Sequence, residues 1–207
     1  SSRVNPGINR GYKEHMLTPE GKLARTTGTC GPYNPRGDGL GQDVKGDAFV
    51  CEPCGNLVLR YEITEDERGV LRGEPARKEA SFLTSTDERF RPVNIAGGPD
   101  GCLYIVDLYR GVLQHRNYVT SFLRRQVKER ELETPLGLGR IWRVKRTGRV
   151  GAGGPELAGA SWDELALLLG HPNGWWRDRA QRVFVEEGED DSDAEDALHA
   201  YLAMDLY

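Results

Sequence analysis

An aspartate, a tyrosine and an arginine close the hydrophobic run Leu103-Tyr-Ile-Val-Asp-Leu-Tyr-Arg110. A plain hairpin needs only a residue pair that tolerates positive φ at that point, so Asp107, Tyr109 and Arg110 are candidates for a site. Arg91 stands just before the preceding strand-like run, Pro92 to Ala96, and His115 follows shortly after Arg110. Two guanidiniums suit carboxylate ligands, which arginine grips bidentately. Asp107 can orient Arg110 or share in a cation site, Tyr109 can stack or hydrogen-bond, and His115 is a weaker acid–base candidate. A structural use of the same residues stands beside this one: an Asp–Arg pair that pins the following segment, with His115 packed and hydrogen-bonded. Glu52 ends an equivalent strand and reads as a carboxylate accepting turn N–H bonds.

Cys51-Glu-Pro-Cys54 imitates a redox dithiol. That chemistry wants a helix N-terminus to activate the first thiol, whereas this motif joins two strands. Zinc commonly takes two close pairs of ligands, and Cys30 and Cys102 are isolated, so no metal site is expected. Gly55 follows Cys54, which excludes a C-x-x-C-H haem attachment at this motif. Trp175-Trp176 suits a sugar-stacking platform, but at helical spacing with Ala180 and Val183 at least one of the pair reads as core.

The elements that carry these residues repeat. Gly46 to Glu52 aligns with Gly101 to Asp107, each a glycine, a variable residue, an apolar run and a carboxylate. Each is followed by a second strand, Val58 to Tyr61 and Ile141 to Val144. Short strands repeated at about 50 residues point to propeller blades. The expected fold is mainly β plus α: a partial, antiparallel propeller of about two blades over residues 1–146, carrying a helical insertion at about 111–138. Within the insertion, Phe122, Leu123, Val127 and Leu132 stand among charges between Thr120 and Leu132, the pattern of a helix. Arg124, Arg125, Lys128 and Arg130 alternate with Glu129 and Glu131 and read as its solvated face. A Gly- and Pro-rich linker at 147–160 leads into helices over 161–207, where Ser161 with Glu164 and Ser192 with Glu195 fit capping boxes. A closed propeller needs four to eight blades, so the chain is expected to be part of something larger.

Charge and composition narrow the class. The chain has 28 Lys and Arg against 32 Asp and Glu, a net charge of −4. The acidic residues concentrate from Glu186 onward, which leaves a mild, dispersed basic excess elsewhere. No basic stripe with interleaved aromatics is present, which argues against nucleic acid. No apolar run reaches the roughly 20 residues that span a bilayer.

The segment FLTSTDERFRPVNIAGGPDGCLYIVDLYRGVLQHRNYVTSFLRRQVKERELETPLGLGRIWRV resembles the membrane-bound dehydrogenases related to soluble quinoprotein sugar dehydrogenases. TGTCGPYNPRGD, GDAFVCEPCGNLV and HPNGWWRDRAQRVFVEEG are similar to other segments of that family, in its order, over most of residues 26–188. The resemblance implies a propeller followed by HEAT-like repeats, on the extracytoplasmic or periplasmic side of a membrane. It further implies oxidation of a sugar or alcohol by hydride transfer to pyrroloquinoline quinone, assisted by calcium. A haem c domain is implied only outside this chain, and so is the catalytic histidine's blade. On that reading Arg91, Asp107, Tyr109 and Arg110 bind cofactor or substrate. The alternative is a non-catalytic scaffold that binds a glycan or a protein. The blade alignment sets Cys30 and Cys51 at one rim on adjacent strands. The implied location permits a Cys30–Cys51 disulfide, with Cys54 as a competitor.

Overall fold

The computed structural model describes residues 19, 26–78, 80–148 and 154–204. Residues 149–153 of the expected linker and nearly all of 1–25 of the expected blade region lie outside the described residues. The chain divides into two compact units. The first takes Ser1–Pro35, Gly46–Ala96 and Tyr104–Val144; the second takes Arg36–Lys45, Gly97–Leu103 and Lys145–Tyr207. The second unit therefore includes two loop segments as well as the helices.

The first unit is built on antiparallel β-structure. β1 (Cys30–Tyr33), β2 (Ala48–Glu52), β3 (Leu57–Glu65) and β4 (Leu71–Pro75) lie side by side in chain order, and β5 (Leu83–Thr84) also pairs with β3. Phe49 and Cys51 alternate inward on β2, and Leu57, Val58 and Leu59 of β3 are all buried. A continuous apolar run of this kind suits a strand covered on both faces. Burying each large side chain contributes about 1.5–3 kcal/mol. Beyond Tyr61 the β3–β4 hairpin is mostly exposed and was not anticipated from the sequence. Its turn is organised by Asp66, which accepts from the N–H groups of Arg68 and Val70, both at 3.0 Å. Those bonds hold the Asp66 carboxyl below its ordinary range.

β6 (Pro92–Gly97), β7 (Leu103–Asp107) and β8 (Arg140–Val144) form the second sheet, in that order. At one end of the β6–β7 pair the Leu108 N–H donates to Arg91 O at 2.9 Å. Gly31 of β1, at φ +55°, lies so close to β6 that a Cβ would stand 2.6 Å from Asn94 Cα. Only glycine combines that backbone with that approach.

Between β7 and β8 runs the expected insertion, with α1 (Ser121–Glu129) capped by Thr120, whose hydroxyl accepts from Leu123 N. Leu123, Val127 and Leu132 form a small core of their own, with Val112 and Val119 packed against it. Gly111 closes the loop: a Cβ there would meet Leu132 O at 2.3 Å.

The second unit is helical, with α2 (Trp162–Leu168), α3 (Gly174–Glu187) and α4 (Ser192–Ala203) around Leu165, Ala166, Phe184, Ala194 and Ala197. Ser161 and Glu164 form the capping box expected. α4 differs from the expectation: Asp191, not Ser192, is its N-cap, accepting from the N–H groups of Asp193 and Ala194. A carboxylate one residue earlier reaches the orphan donors and also takes the Trp162 indole N–H at 3.0 Å. Trp176 is buried, donating to Pro99 O at 2.9 Å, and beside it Asn173 Nδ2 donates to Gly98 O and Pro99 O. No described helix is long and apolar enough to cross a membrane. Among the described residues the sheets do not close into a ring.

Candidate functional site

The end of β7 is a hydrogen-bonded knot. Asp107, 1% exposed, accepts at Oδ1 from the backbone N–H of Arg91 and of Tyr109, both at 2.8 Å. Its Oδ2 accepts from the Trp142 indole N–H at 2.9 Å. Arg91 is also 1% exposed, and its guanidinium donates to Pro53 O (2.7 Å), Arg110 O (2.9 Å) and Gly111 O (2.9 Å). Burial pulls Arg91 down to about 10, against the opposing pull of Cys54, Glu88, Asp107 and Asp87. It remains a cation at neutral pH. Both residues were expected on a rim open to ligand; both are instead buried, and their polar atoms bond to the protein.

Tyr109 adopts φ +47°, a conformation unfavourable for a bulky side chain. It is held from both ends. Its hydroxyl donates to Asp87 Oδ2 at 2.8 Å, and the Arg140 guanidinium lies 3.7 Å over its ring. The bond to Asp87 raises the phenol above its ordinary range. His115 does not join the group: it caps the 3-10 turn Arg116–Tyr118, Nδ1 accepting from Asn117 N, and is exposed.

The segment from Asp87 to Arg91 fastens both ends of the insertion. Arg91 holds its start at Arg110 O and Gly111 O. Arg89 holds its end, donating to Glu131 O and Thr134 O at 2.8 Å, and Glu88 pairs with Arg130. Asn56, from the β2–β3 turn, donates to Phe90 O at 2.7 Å and so fixes the fastening segment itself.

What these clamps hold is a groove. Its volume is about 570 Å³, and its walls are the Arg110–Val119 segment and α1. Arg110, Arg116, Arg124 and Lys128 line it with a single carboxylate, Glu133, over apolar side chains that include Val127 and Leu132. Among the described residues none of these four cations forms an ion pair. Of the five residues expected at a site, Arg110 alone lines this groove. Arg124 and Lys128 were missed because Glu129 and Glu131 alternate with the helix charges in sequence, and Arg116, in the turn ahead of the helix, carried no pattern of its own. Those two acids do not line the groove, and the i, i+4 spacing of Arg124 and Lys128, which sets them on one helix face, was the available signal.

At the matching end of β2 stands a second cluster. Cys30 and Cys51 are directly opposed on β1 and β2, and all four cysteines are in the thiol form. Burial, then the charges of Glu52 and Cys54, push the Cys30 thiol up; burial and Cys30 push Cys51 up to about 12. Glu52 is fully buried. Its Oε2 accepts from Thr27 N and Gly28 N, both at 3.1 Å, while Oε1 has no hydrogen-bond partner.

The polar atoms expected to meet a quinone or calcium are engaged within the protein. Asp107 has both oxygens engaged by N–H donors, the Arg91 guanidinium is bound to carbonyls, and no group of three or more potential metal ligands is found among the described residues. No curated protein and no solved structure matches the chain. A domain of unknown function, DUF7133, matches residues 2–148, a span that includes both sheets, the insertion, the groove and the thiol cluster. The chain belongs to the DUF7133 family.

Proposed function

We propose that the DUF7133 part of this chain is a binding element for an acidic carbohydrate, seated in the groove of the insertion. The observation that carries this is the groove's charge: four cations and one carboxylate around an apolar floor. Guanidiniums bind carboxylates with paired hydrogen bonds, and the apolar floor suits the C–H face of a sugar ring. The volume lies within the range of small-molecule sites, roughly 300–1,000 Å³. The resemblance to quinoprotein sugar dehydrogenases supplies the ligand class and the setting. On this reading the two sheets are neighbouring blades of an extracytoplasmic propeller, α2 to α4 begin a HEAT-like array, and hydride transfer belongs to other parts of the protein. The neighbour order β1-β2-β3-β4 and β6-β7-β8 supports the blade reading.

The test is a calorimetric titration with a trigalacturonate, against a neutral trisaccharide as control. Saturable binding of the acidic sugar that weakens at least about tenfold in Arg124→Gln/Lys128→Gln supports the groove, since removing two paired charges costs roughly 1.5 kcal/mol or more. Equal binding of both sugars, or none of either, overturns it.

A further inference from the structure

The thiol cluster at the end of β2 is independent of the groove, and its geometry is specific. Cys30 and Cys51 are cross-strand partners on antiparallel strands, where opposed Cα atoms lie about 4.5–5.5 Å apart, inside the span a disulfide bridges. Cys54 lies in the turn that follows, its sulfur 3.0 Å from where a Gly28 Cβ would stand. The Gly28 N–H is itself bonded to Glu52 Oε2. Pro53 O accepts from the buried Arg91 guanidinium, and Cys54 is the side chain whose charge acts on that guanidinium most strongly. The thiolate is the form that attacks disulfides, and Cys54, half-buried in the turn, is open to a soluble disulfide where buried Cys51 is not. Glu52 Oε1, buried and without a hydrogen-bond partner, is the carboxylate whose charge bears most on Cys30. A buried, half-satisfied carboxylate is costly to keep, and a nearby thiol proton gives it a use.

We propose that Cys30 and Cys51 are joined by a disulfide formed through Cys54, with Glu52 accepting the Cys30 proton. The oxidant is a small-molecule disulfide, R–S–S–R. The Cys54 thiolate attacks it, forming a mixed disulfide and expelling one R–S⁻. Cys30 gives its proton to Glu52 Oε1 and attacks the Cys54 sulfur; a Cys30–Cys54 bond forms and the second R–S⁻ leaves. Cys51 then attacks the Cys30 sulfur, its proton passing to the departing Cys54. Glu52 and Cys54 pass the protons they took from Cys30 and Cys51 to the two R–S⁻, so two thiols have lost two electrons and two protons, and one R–S–S–R has become two R–SH. The product ties β1 to β2 beside the turn that holds Arg91. The shielded Cys51 thiol is a poor first nucleophile, which is why the exchange needs Cys54.

The experiment is oxidation of the reduced protein with oxidised glutathione, followed by peptide mapping. Residues 46–60 form one tryptic peptide carrying both Cys51 and Cys54, so fragmentation at Pro53 assigns the partner of Cys30. Wild type should end with Cys30 linked to Cys51 and a melting temperature raised by roughly 5–10 °C. Cys54→Ser should form the same bond at least about tenfold more slowly. Cys51→Ser should stop at Cys30–Cys54, and Cys30→Ser should stop with glutathione on Cys54. An unchanged rate in Cys54→Ser, or a wild-type product in which Cys54 holds the bond, overturns the proposal. Should Cys54→Ser fail to fold, Cys30→Ser decides: glutathione on Cys54 supports the route, and glutathione on Cys51 or nowhere refutes it.

Discussion

Two carboxylates end two equivalent strands, Glu52 on β2 and Asp107 on β7, and both are buried. Asp107 accepts three N–H donors and has no oxygen to spare. Glu52 accepts two, both at one oxygen, and leaves the other without a partner among thiols. From residue types alone Asp107 looked the more chemical of the two, since arginines, a tyrosine and a histidine surround it in sequence. The structure reverses the pair. Many polar neighbours in sequence satisfy a buried carboxylate and turn it into a fastening; a carboxylate left half-satisfied keeps an atom for chemistry.

The largest expected effect separates the two strand ends on stability. In Asp107→Asn the amide's N–H groups would face the Trp142 indole N–H, leaving a buried donor unmatched, and the loss should be about 2–3 kcal/mol. Glu52→Gln keeps an oxygen for Thr27 and Gly28 and puts the amide nitrogen where the unpartnered oxygen was. Its cost should stay below about 1 kcal/mol. Denaturant midpoints with unchanged slopes would measure both, and equal losses would erase the distinction.

A smaller effect belongs to the thiols of the reduced protein. The folded state holds Cys51 up to about 12, against an ordinary 9.0, and raises Cys30 in the same direction. Unfolded thiols lose their protons near pH 9 while the folded ones keep theirs, so the unfolded state binds fewer protons between pH 9 and about 12. The stability these thiols contribute is therefore fully present below pH 9 and lost as pH rises through that window. Under reductant the melting temperature of wild type should fall more steeply there than that of Cys51→Ser. Parallel curves would show that burial of Cys51 does not control its proton.

Much of the framework was legible because it rests on local pattern. β8 occupies the residues expected, the Ser161 capping box is in place, and the helix of the insertion begins at its threonine cap. Cys30 and Cys51 fell opposite one another because the repeat carried register information. The β3–β4 hairpin escaped notice because Leu71 to Pro75 is exposed throughout and carries no apolar alternation. The roles of Arg91 and Asp107 escaped for a different reason. Sequence shows that a guanidinium is present, but the carbonyls of Pro53, Arg110 and Gly111 that occupy it come from two separate turns. Side chains can be read as chemistry from a sequence; backbone acceptors converging from distant loops cannot. The groove was hidden likewise, since its cations come from both the Arg110–Val119 segment and α1.

Arg110 stands where fastening and the proposed binding meet: its carbonyl accepts from Arg91, and the residue lines the groove. Replacing only the side chain, in Arg110→Ala, separates the two roles in one titration with trigalacturonate. Because the carbonyl remains, the melting temperature of the ligand-free variant should stay within about 2 °C of wild type, the range of surface substitutions. Affinity for the acidic sugar should fall at least about fivefold, as expected for one lost charge-assisted pair. A variant that melts several degrees lower yet binds the sugar as tightly as wild type would contradict the account, because Arg110 would then hold the insertion and bind nothing.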